Sequence, residues 1–347
     1  MTAGKRILIT GVSKYLGLRL AKRFEQDDRV DAVIGVDLDE PPFPIEKLEF
    51  VRADIRSPLI ARVLESTRVD TIVHTNILSR PGRVGGRSQL KENNVIGTLQ
   101  LLAAAQRAQK VERVIMKSST AVYGLGPKEP SIVREDHDNR RAHLFGYGKD
   151  CSEAETYVRD FGRRRPDVEV IILRTQSLIG PTVHTNMTDY LSLPFLPSVL
   201  GYDPRLQLVH EEDAVEAFAV ATRDAPPGIY NISGEGVVYL SKAARMLGKL
   251  QLPMLYPAGR AASAVLRRVG LVDFPTDQLQ FLVYGRVVDF KRATDTFGFT
   301  PRYTTEEAIG DFRDHRDASR PPPESRPTWE SDLIDLLQRR STAGEKV

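Results

Sequence analysis

A chain of 347 residues is long enough for one large α/β unit, or for one such unit with an added lobe. Its 49 basic and 46 acidic side chains nearly cancel to a net charge of +3, which gives no electrostatic case for a nucleic-acid binder. A single cysteine, Cys151, excludes an internal disulfide framework and a cysteine-based zinc site. No apolar run is long enough to span a membrane and the N-terminus does not read as a secretory signal, so the expectation is a cytoplasmic protein.

The chain opens with a short apolar strand, Ile7–Ile9, that breaks into the turn Thr10-Gly11-Val12-Ser13-Lys14-Tyr15-Leu16-Gly17 and runs into a helix with one apolar face, Leu18–Phe24. A strand, a glycine turn and a helix N-terminus present free backbone N–H groups and a partial positive charge to a phosphate. The second strand, Val30–Asp37, ends in an acid, as the ribose-binding position of a dinucleotide unit does. A carboxylate at Asp37 repels a 2′-phosphate, so NAD is favoured over NADP. Further strands are expected at Leu48–Ile55 and Val69–His74, with a helix from Pro58 to Ser66 between them. Strands alternating with helices indicate a parallel sheet covered on both faces.

Ser79–Ser88 then forms a basic loop whose arginines, Arg80 and Arg83 among them, serve either as a solvated surface or as an anion clamp at the sheet edge. A long helix is expected from Gln89 to Lys110, followed by a strand, Arg113–Lys117, that ends in the hydroxyl run Ser118-Ser119-Thr120. A Gly-rich aromatic segment, Ala142–Gly148, leads to a helix over Asp150–Arg163 and a sixth strand, Val168–Leu173. Beyond Arg174 prolines crowd in. Leu206–His210 reads as a strand, Asp213–Arg223 as a helix and Gly228–Ile232 as a returning strand. This pattern predicts a Rossmann-type unit over 1–175, to which 206–235 returns, and a smaller interleaved substrate lobe over 176–205 and 236–315. The tail 316–347 is rich in Arg, Pro, Glu and Ser and is expected to be disordered, with Trp329 and Ile334–Leu337 able to form one amphipathic turn.

Taken in order, these segments resemble the extended short-chain dehydrogenase/reductases, the NAD-dependent epimerase/dehydratase family, over roughly residues 5–315. Thr10-Gly11 with Gly17 resembles the family's TGxxGxxG turn, and Asp54-Ile55 its adenine-contacting pair. Asn93-Asn94-Val95-Ile96-Gly97-Thr98 resembles NNVxGT, and Ser118–Gly124 resembles SSxxVYG. Leu173-Arg174 with Gly180-Pro181, Leu206–Asp213 and Gly228–Ile232 resemble three later motifs.

The resemblance implies an α/β doubly wound fold with a C-terminal lobe that binds a nucleotide sugar or another small molecule; a homodimer is one arrangement open to it. It implies NAD held by Gly11, Lys14, Tyr15, Leu16, Gly17, Asp37, Asp54, Ile55, Thr75, Asn76, Ile77 and Asn93. It also implies hydride transfer assisted by a hydroxyl, a tyrosine base and a lysine. Ser119 aligns with the hydroxyl and Tyr147 with the tyrosine. A phenol of ordinary pKa near 10 needs a neighbouring cation to work as a base at neutral pH.

The chain departs from the family at four places. Cys151 occupies the lysine position of YxxxK. On a regular helix Lys149 points about 200° away from that position, so it substitutes only if the helix start is unwound. Lys14 replaces the middle glycine of the cofactor turn, which weakens phosphate approach unless its ammonium compensates. His74-Thr75-Asn76-Ile77 replaces a run of small residues, and Ser177 stands where nucleotide-sugar enzymes commonly carry Asn. His74 and His210 lack acidic partners at metal-like spacing and read as satisfied side chains, so no metal is expected. Two functions follow: an NAD-dependent oxidoreductase with Tyr147, Ser119 and Lys149, Arg80 or Arg83 at its site, or a non-catalytic NAD(P)-binding protein with a regulatory or partner role.

Overall fold

The computed structural model describes residues 4–80, 86–137, 146–255 and 276–316. Arg83, most of the segment 142–148, Trp329 and Ile334–Leu337 lie outside the described residues. The first half runs β1 (Lys5–Thr10), α1 (Tyr15–Glu25), β2 (Val30–Asp37), β3 (Leu48–Arg52), α2 (Leu59–Thr67), β4 (Thr71–His74), α3 (Arg87–Lys91), a π-helical stretch (Glu92–Gly97), α4 (Thr98–Ala105) and β5 (Arg113–Ser119). A 3₁₀ turn (Thr120–Tyr123), α5 (Gly146–Arg164), β6 (Glu169–Thr175), β7 (Ser177–Ile179), α6 (Asn186–Ser192), β8 (Phe195–Val199), β9 (Arg205–Leu206) and β10 (Leu208–His210) follow. The last elements are α7 (Glu211–Asp224), β11 (Gly228–Ile232), β12 (Val238–Tyr239), α8 (Leu240–Met246), β13 (Leu250–Met254), α9 (Thr276–Tyr284), α10 (Lys291–Phe297) and α11 (Thr305–His315).

Seven strands form one parallel sheet in the order β11-β6-β5-β4-β1-β2-β3. The order reverses between β1 and β4, and ligands of doubly wound sheets sit outside the carboxyl ends of the strands at such a reversal. Period-two alternation in β1 builds both cores. Ile7 and Ile9 pack with Leu16, Leu20 and Phe24 of α1 and Phe218 of α7 on one face. Leu8 packs with Ile60 of α2, Leu101 of α4 and Phe161 of α5 on the other. A third core gathers Ile179, Tyr190, Leu196, Leu208, Leu240, Leu282, Ile309 and Phe312 under the pairs β10–β7, β12–β9 and β13–β8.

Three elements differ from the sequence-based expectation. The helix expected over 89–110 is α3, a π-helical stretch and α4, ending at Ala105. The π-helical stretch falls on Asn93 and Asn94, whose amides are engaged outside the helix: Leu78 N donates to Asn94 Oδ1 at 2.8 Å and Asn94 Nδ2 to Leu78 O at 2.8 Å. A widened turn of this kind accommodates side chains called away to a site. Leu206–His210 does not join the main sheet but splits into β9 and β10. Gln207 between them is buried, its Oε1 accepting from Val288 N at 2.8 Å, and so turns the chain at that residue. Finally, α5 begins at Gly146 rather than Asp150, so Lys149 is already helical.

Candidate functional site

Gly11 closes β1 with φ of +74°, a left-handed conformation that suits glycine, and a Cβ there would lie 3.2 Å from Asn76 Cα. A Cβ on Gly17 would meet Gly11 O at 2.3 Å. The turn and the first helical residues are therefore pressed together. Thr75 pins the arrangement by donating from Oγ1 to Thr10 O at 2.7 Å. Lys14 sits at the N-cap of α1 with no side-chain cap, so the first N–H groups at Tyr15 and Leu16 face outward. This cradle fits a dinucleotide pyrophosphate. At the tip of β2, buried Asp37 accepts from Ser13 N at 3.1 Å and Leu38 N at 2.8 Å.

Lys14 does not offer a free ammonium to this cradle. Its Nζ lies 3.4 Å from Asp39 Oδ2 and 3.9 Å from Asp37 Oδ1. Asp54 stands just past β3, and the Arg56 guanidinium at 2.6 Å holds its carboxyl below the usual range. Ile55 is buried against Gly97, where a Cβ would come within 2.6 Å of it. Asn76 and Asn93 exchange hydrogen bonds, Asn93 Nδ2 to Asn76 O at 2.9 Å and Asn76 Nδ2 to Asn93 Oδ1 at 3.1 Å. The paired asparagines thus hold residues 76–78, including fully buried Ile77, against the π-helical stretch. Asn94, quoted in the sequence only as part of the NNVxGT-like segment and not as a site residue, joins Asn93 in this role.

The second part of the site lies where α5 meets the end of β5. A Cβ on Gly148 would come 2.5 Å from Ala121 O, so only glycine lets α5 lie this close to the 3₁₀ turn. That approach brings Tyr147 beside Ser119, and both the Ser119 hydroxyl and the Cys151 thiol act on the phenol. Burial is the main cause that raises the Tyr147 phenol well above its ordinary pKa; Cys151 and Asp150 add to it and Ser119 opposes it. Burial also pushes the Cys151 thiol up to about 12, so it is a neutral thiol at pH 7. Buried Asp150 is matched by Arg87, whose Nη2 donates to Asp150 Oδ1 at 2.7 Å.

Lys149 pairs with Glu153 one turn on, at 3.7 Å and with 40% of its side chain exposed. Arg80 is engaged by α6, with Nη2 at 2.8 Å from Asp189 Oδ2. A cation that the sequence did not single out reaches the site instead. Lys117 of β5 extends its ammonium to Ile77 O at 2.8 Å and interacts electrostatically with Cys151. Burial lowers its pKa below the ordinary lysine value.

The remaining motifs form the buried support. Arg174 binds Glu155 through Nε to Oε1 at 2.9 Å and Nη2 to Oε2 at 2.7 Å, and donates from Nη1 to Tyr123 Oη at 2.9 Å. Tyr123 donates to Asn231 Oδ1 at 2.7 Å, and Ser118 to Glu155 Oε1 at 2.6 Å. Glu211 accepts from Thr182 N and Val183 N at 3.1 and 2.6 Å, beside a Gly180 that has no room for a Cβ.

His74 is buried between Thr10 Oγ1 at 2.7 Å and Thr98 Oγ1 at 2.9 Å, and burial lowers its pKa to about 3, so it is a neutral strut. His210 stacks on Tyr303 and has an acidic neighbour invisible in the sequence spacing, Asp311 Oδ2 at 3.0 Å. Among the described residues no group of three or more His, Cys, Asp and Glu side chains is placed to hold a metal.

Residues 7–233 match the NAD dependent epimerase/dehydratase family. The chain belongs to this family. An uncharacterised protein of Mycobacterium tuberculosis is 39% identical over 340 residues, spanning 96% of this chain and 90% of its own length. UDP-glucose 4-epimerase 3 of Oryza sativa is 28% identical over 198 residues, 51% of this chain and 50% of that protein. Among solved structures, UDP-glucuronic acid 4-epimerase from Bacillus cereus in complex with NAD superposes with a TM-score of 0.69 at 18% identity, over 91% of this chain and all of that one. UDP-glucose 4-epimerase from Bifidobacterium longum in complex with NAD+ and UDP superposes with a TM-score of 0.70 at 16% identity, over 90% and 98% of the two chains. The seven-stranded Rossmann-type sheet is thus the fold of NAD-bound epimerases. Among the described residues no helix is long and apolar enough to cross a membrane.

Proposed function

We propose that this member of the family is an NAD-dependent oxidoreductase of the epimerase/dehydratase type, acting on a hydroxyl or carbonyl of a nucleotide sugar or a similar small molecule. The observation that carries the reading is Tyr147 held against Ser119 at the carboxyl end of β5, where Gly148 lets α5 lie close to the 3₁₀ turn. NAD would rest with its pyrophosphate on the N–H groups at the start of α1 and its adenosine ribose on Asp37, with Asp54, Ile55 and the 75–77 segment along its length. When bound, it supplies a hydride acceptor and donor.

The chain's own residues handle the proton. Ser119 hydrogen-bonds the substrate oxygen and fixes it beside Tyr147. The Tyr147 phenolate accepts the hydroxyl proton as the hydride leaves the same carbon, so a CH–OH group loses one hydride and one proton and becomes a carbonyl. In the reverse direction the Tyr147 phenol returns the proton. Burial of the phenol demands a compensating cation, and Cys151 in place of the family's lysine favours a second reading, a non-catalytic NAD-binding protein.

Titration of the purified protein with NAD by fluorescence, followed by turnover on a panel of UDP- and GDP-sugars, separates the two. The proposed enzyme binds NAD and converts at least one sugar, and Tyr147→Phe reduces that rate by roughly 10²–10⁴-fold with NAD affinity retained. Binding without turnover on a broad panel supports the non-catalytic reading. Absence of NAD binding at millimolar cofactor sinks both.

A further inference from the structure

Asp150 is a fully buried carboxylate near the start of α5, three residues from Tyr147. Residues three apart on a helix are surface neighbours, with Cβ atoms about 5–6 Å apart, so the carboxylate and the phenol leave the helix side by side. The docking of α5 does not need this carboxylate, because Cys151, Ala154, Val158 and Phe161 supply its apolar contacts with the core. A buried carboxylate costs stability unless it is matched. One guanidinium from another helix matches it. Arg87 of α3 donates from Nη1 to Asp150 Oδ2 at 2.5 Å, from Nη2 to Asp150 Oδ1 at 2.7 Å and from Nη2 to Gly146 O at 2.6 Å. A planar fork holding both oxygens of a carboxylate fixes geometry as well as charge. Its three bonds end on residues 146 and 150 and so bracket Tyr147 along the chain. Asn94 Nδ2 lies 3.5 Å from Asp150 Oδ2 and donates to Leu78 O at 2.8 Å, which ties the same carboxylate to the segment after β4.

We propose that Arg87 is a positioning residue for Tyr147, fixing the start of α5 through Gly146 and Asp150 and cancelling the buried negative charge beside the phenol. The inference rests on the reading of Tyr147 as the site's acid and base. Cys151 takes the cation of YxxxK off the helix, and Asp150 sets an anion next to it; Arg87 restores the balance from α3. Arg87 acts through Asp150, whose charge opposes ionisation of the phenol.

The other charged groups packed around this turn are paired elsewhere or neutral. Lys149 of α5 and Lys91 of α3 both reach Glu153, each at 3.7 Å. Glu92 of the π-helical stretch pairs with Arg56 at 3.2 Å. Glu155 is held by Arg174 of β6. Lys117 of β5 donates to Ile77 O. The Cys151 thiol and His74 of β4 are neutral.

Replacing Tyr147 by 3,5-difluorotyrosine lowers the phenol's intrinsic pKa and gives it a fluorine resonance that reports ionisation without cofactor or substrate. The full chain carrying this residue is titrated as wild type, Arg87→Met, Asp150→Asn and the double variant Arg87→Met/Asp150→Asn. The expected result is a phenol pKa about one unit higher in Arg87→Met, a tenfold loss of phenolate at fixed pH, a shift of opposite sign in Asp150→Asn, and a double variant that lies between them. A pair that only holds the fold together lowers the melting temperature of these variants and leaves the titration where it is. The same titration point in wild type and in folded Arg87→Met therefore overturns the proposal. If Arg87→Met does not fold, Asp150→Asn decides, and a point equal to or above that of wild type overturns it. Because the titration needs no NAD and no sugar, shifted phenols in a protein that turns over no sugar remove the proposed function and leave the role of Arg87 standing. Turnover of a sugar together with an unshifted phenol in Arg87→Met does the reverse.

Discussion

Arg174 is a buried cation on β6 and Lys117 a half-buried one on the adjacent strand β5, and they meet opposite surroundings. Arg174 has a two-point bond to the carboxylate of Glu155, a hydrogen bond to Tyr123 and its guanidinium 4.8 Å above the Tyr123 ring. These partners raise its pKa despite burial. Lys117 donates to the carbonyl of Ile77, and among the described residues no salt bridge joins it to a carboxylate. Burial lowers its pKa. A buried charge with its partner in place holds structure together, whereas a buried charge with only neutral neighbours costs stability and persists where a site uses it. The first cation thus belongs to the frame.

The comparison breaks most visibly if the partner of the first cation is removed. Glu155→Ala leaves the Arg174 guanidinium and the Ser118 hydroxyl without their acceptor in a site where Glu155 is 1% exposed. A loss of about 3–5 kcal/mol is expected, measured by urea unfolding followed by circular dichroism. A loss below about 1 kcal/mol would show that the network is not a frame.

The second cation should respond with the opposite sign. Lys117→Met removes a desolvated charge and keeps the chain length of the stem, so stability at neutral pH is expected to be unchanged or to rise by about 1 kcal/mol. The pH dependence follows from the lowered lysine pKa. Between that value and the unfolded value of 10.5, the unfolded chain binds the proton more tightly than the folded one, so this group makes stability rise with pH through that window. Below the window the penalty is constant, and above it the penalty is gone. Thermal unfolding of wild type and Lys117→Met across alkaline pH should show the slope in the first and its loss in the second. A destabilised Lys117→Met with the slope intact would make Lys117 a structural residue.

Much of this frame was legible in the sequence because it repeats at fixed periods. The glycine turn, the acid ending β2 and the hydroxyl run ending β5 each follow a strand whose apolar run is plain, and the parallel sheet follows from strands alternating with helices. What the sequence hid were contacts between side chains distant along the chain. Arg174 and Glu155 belong to different elements, and nothing in their spacing marks them as a pair. Lys117 entered the sequence reading only as the last residue of the strand Arg113–Lys117, and nothing there marked its bond to Ile77 O. Gln207 looked like one polar residue in a strand, and its buried hydrogen bonds to other segments are what split that strand in two.

The smallest expected effect tests whether the helix still supplies the cation. Lys149 is the lysine nearest Tyr147 in sequence, and an unwound helix start would have carried it into the site. Because α5 is already formed at Gly146, residue 149 lies two positions from 147 on a regular helix and turns its side chain about 200° from it. Its partner Glu153 is 31% exposed and the pair is 3.7 Å apart, so solvent and salt screen what attraction remains. Lys149→Ala should therefore change stability by no more than about 0.5 kcal/mol and leave the pH profile of turnover in place. A tenfold fall in rate with an alkaline shift of the profile would return the cation to the helix.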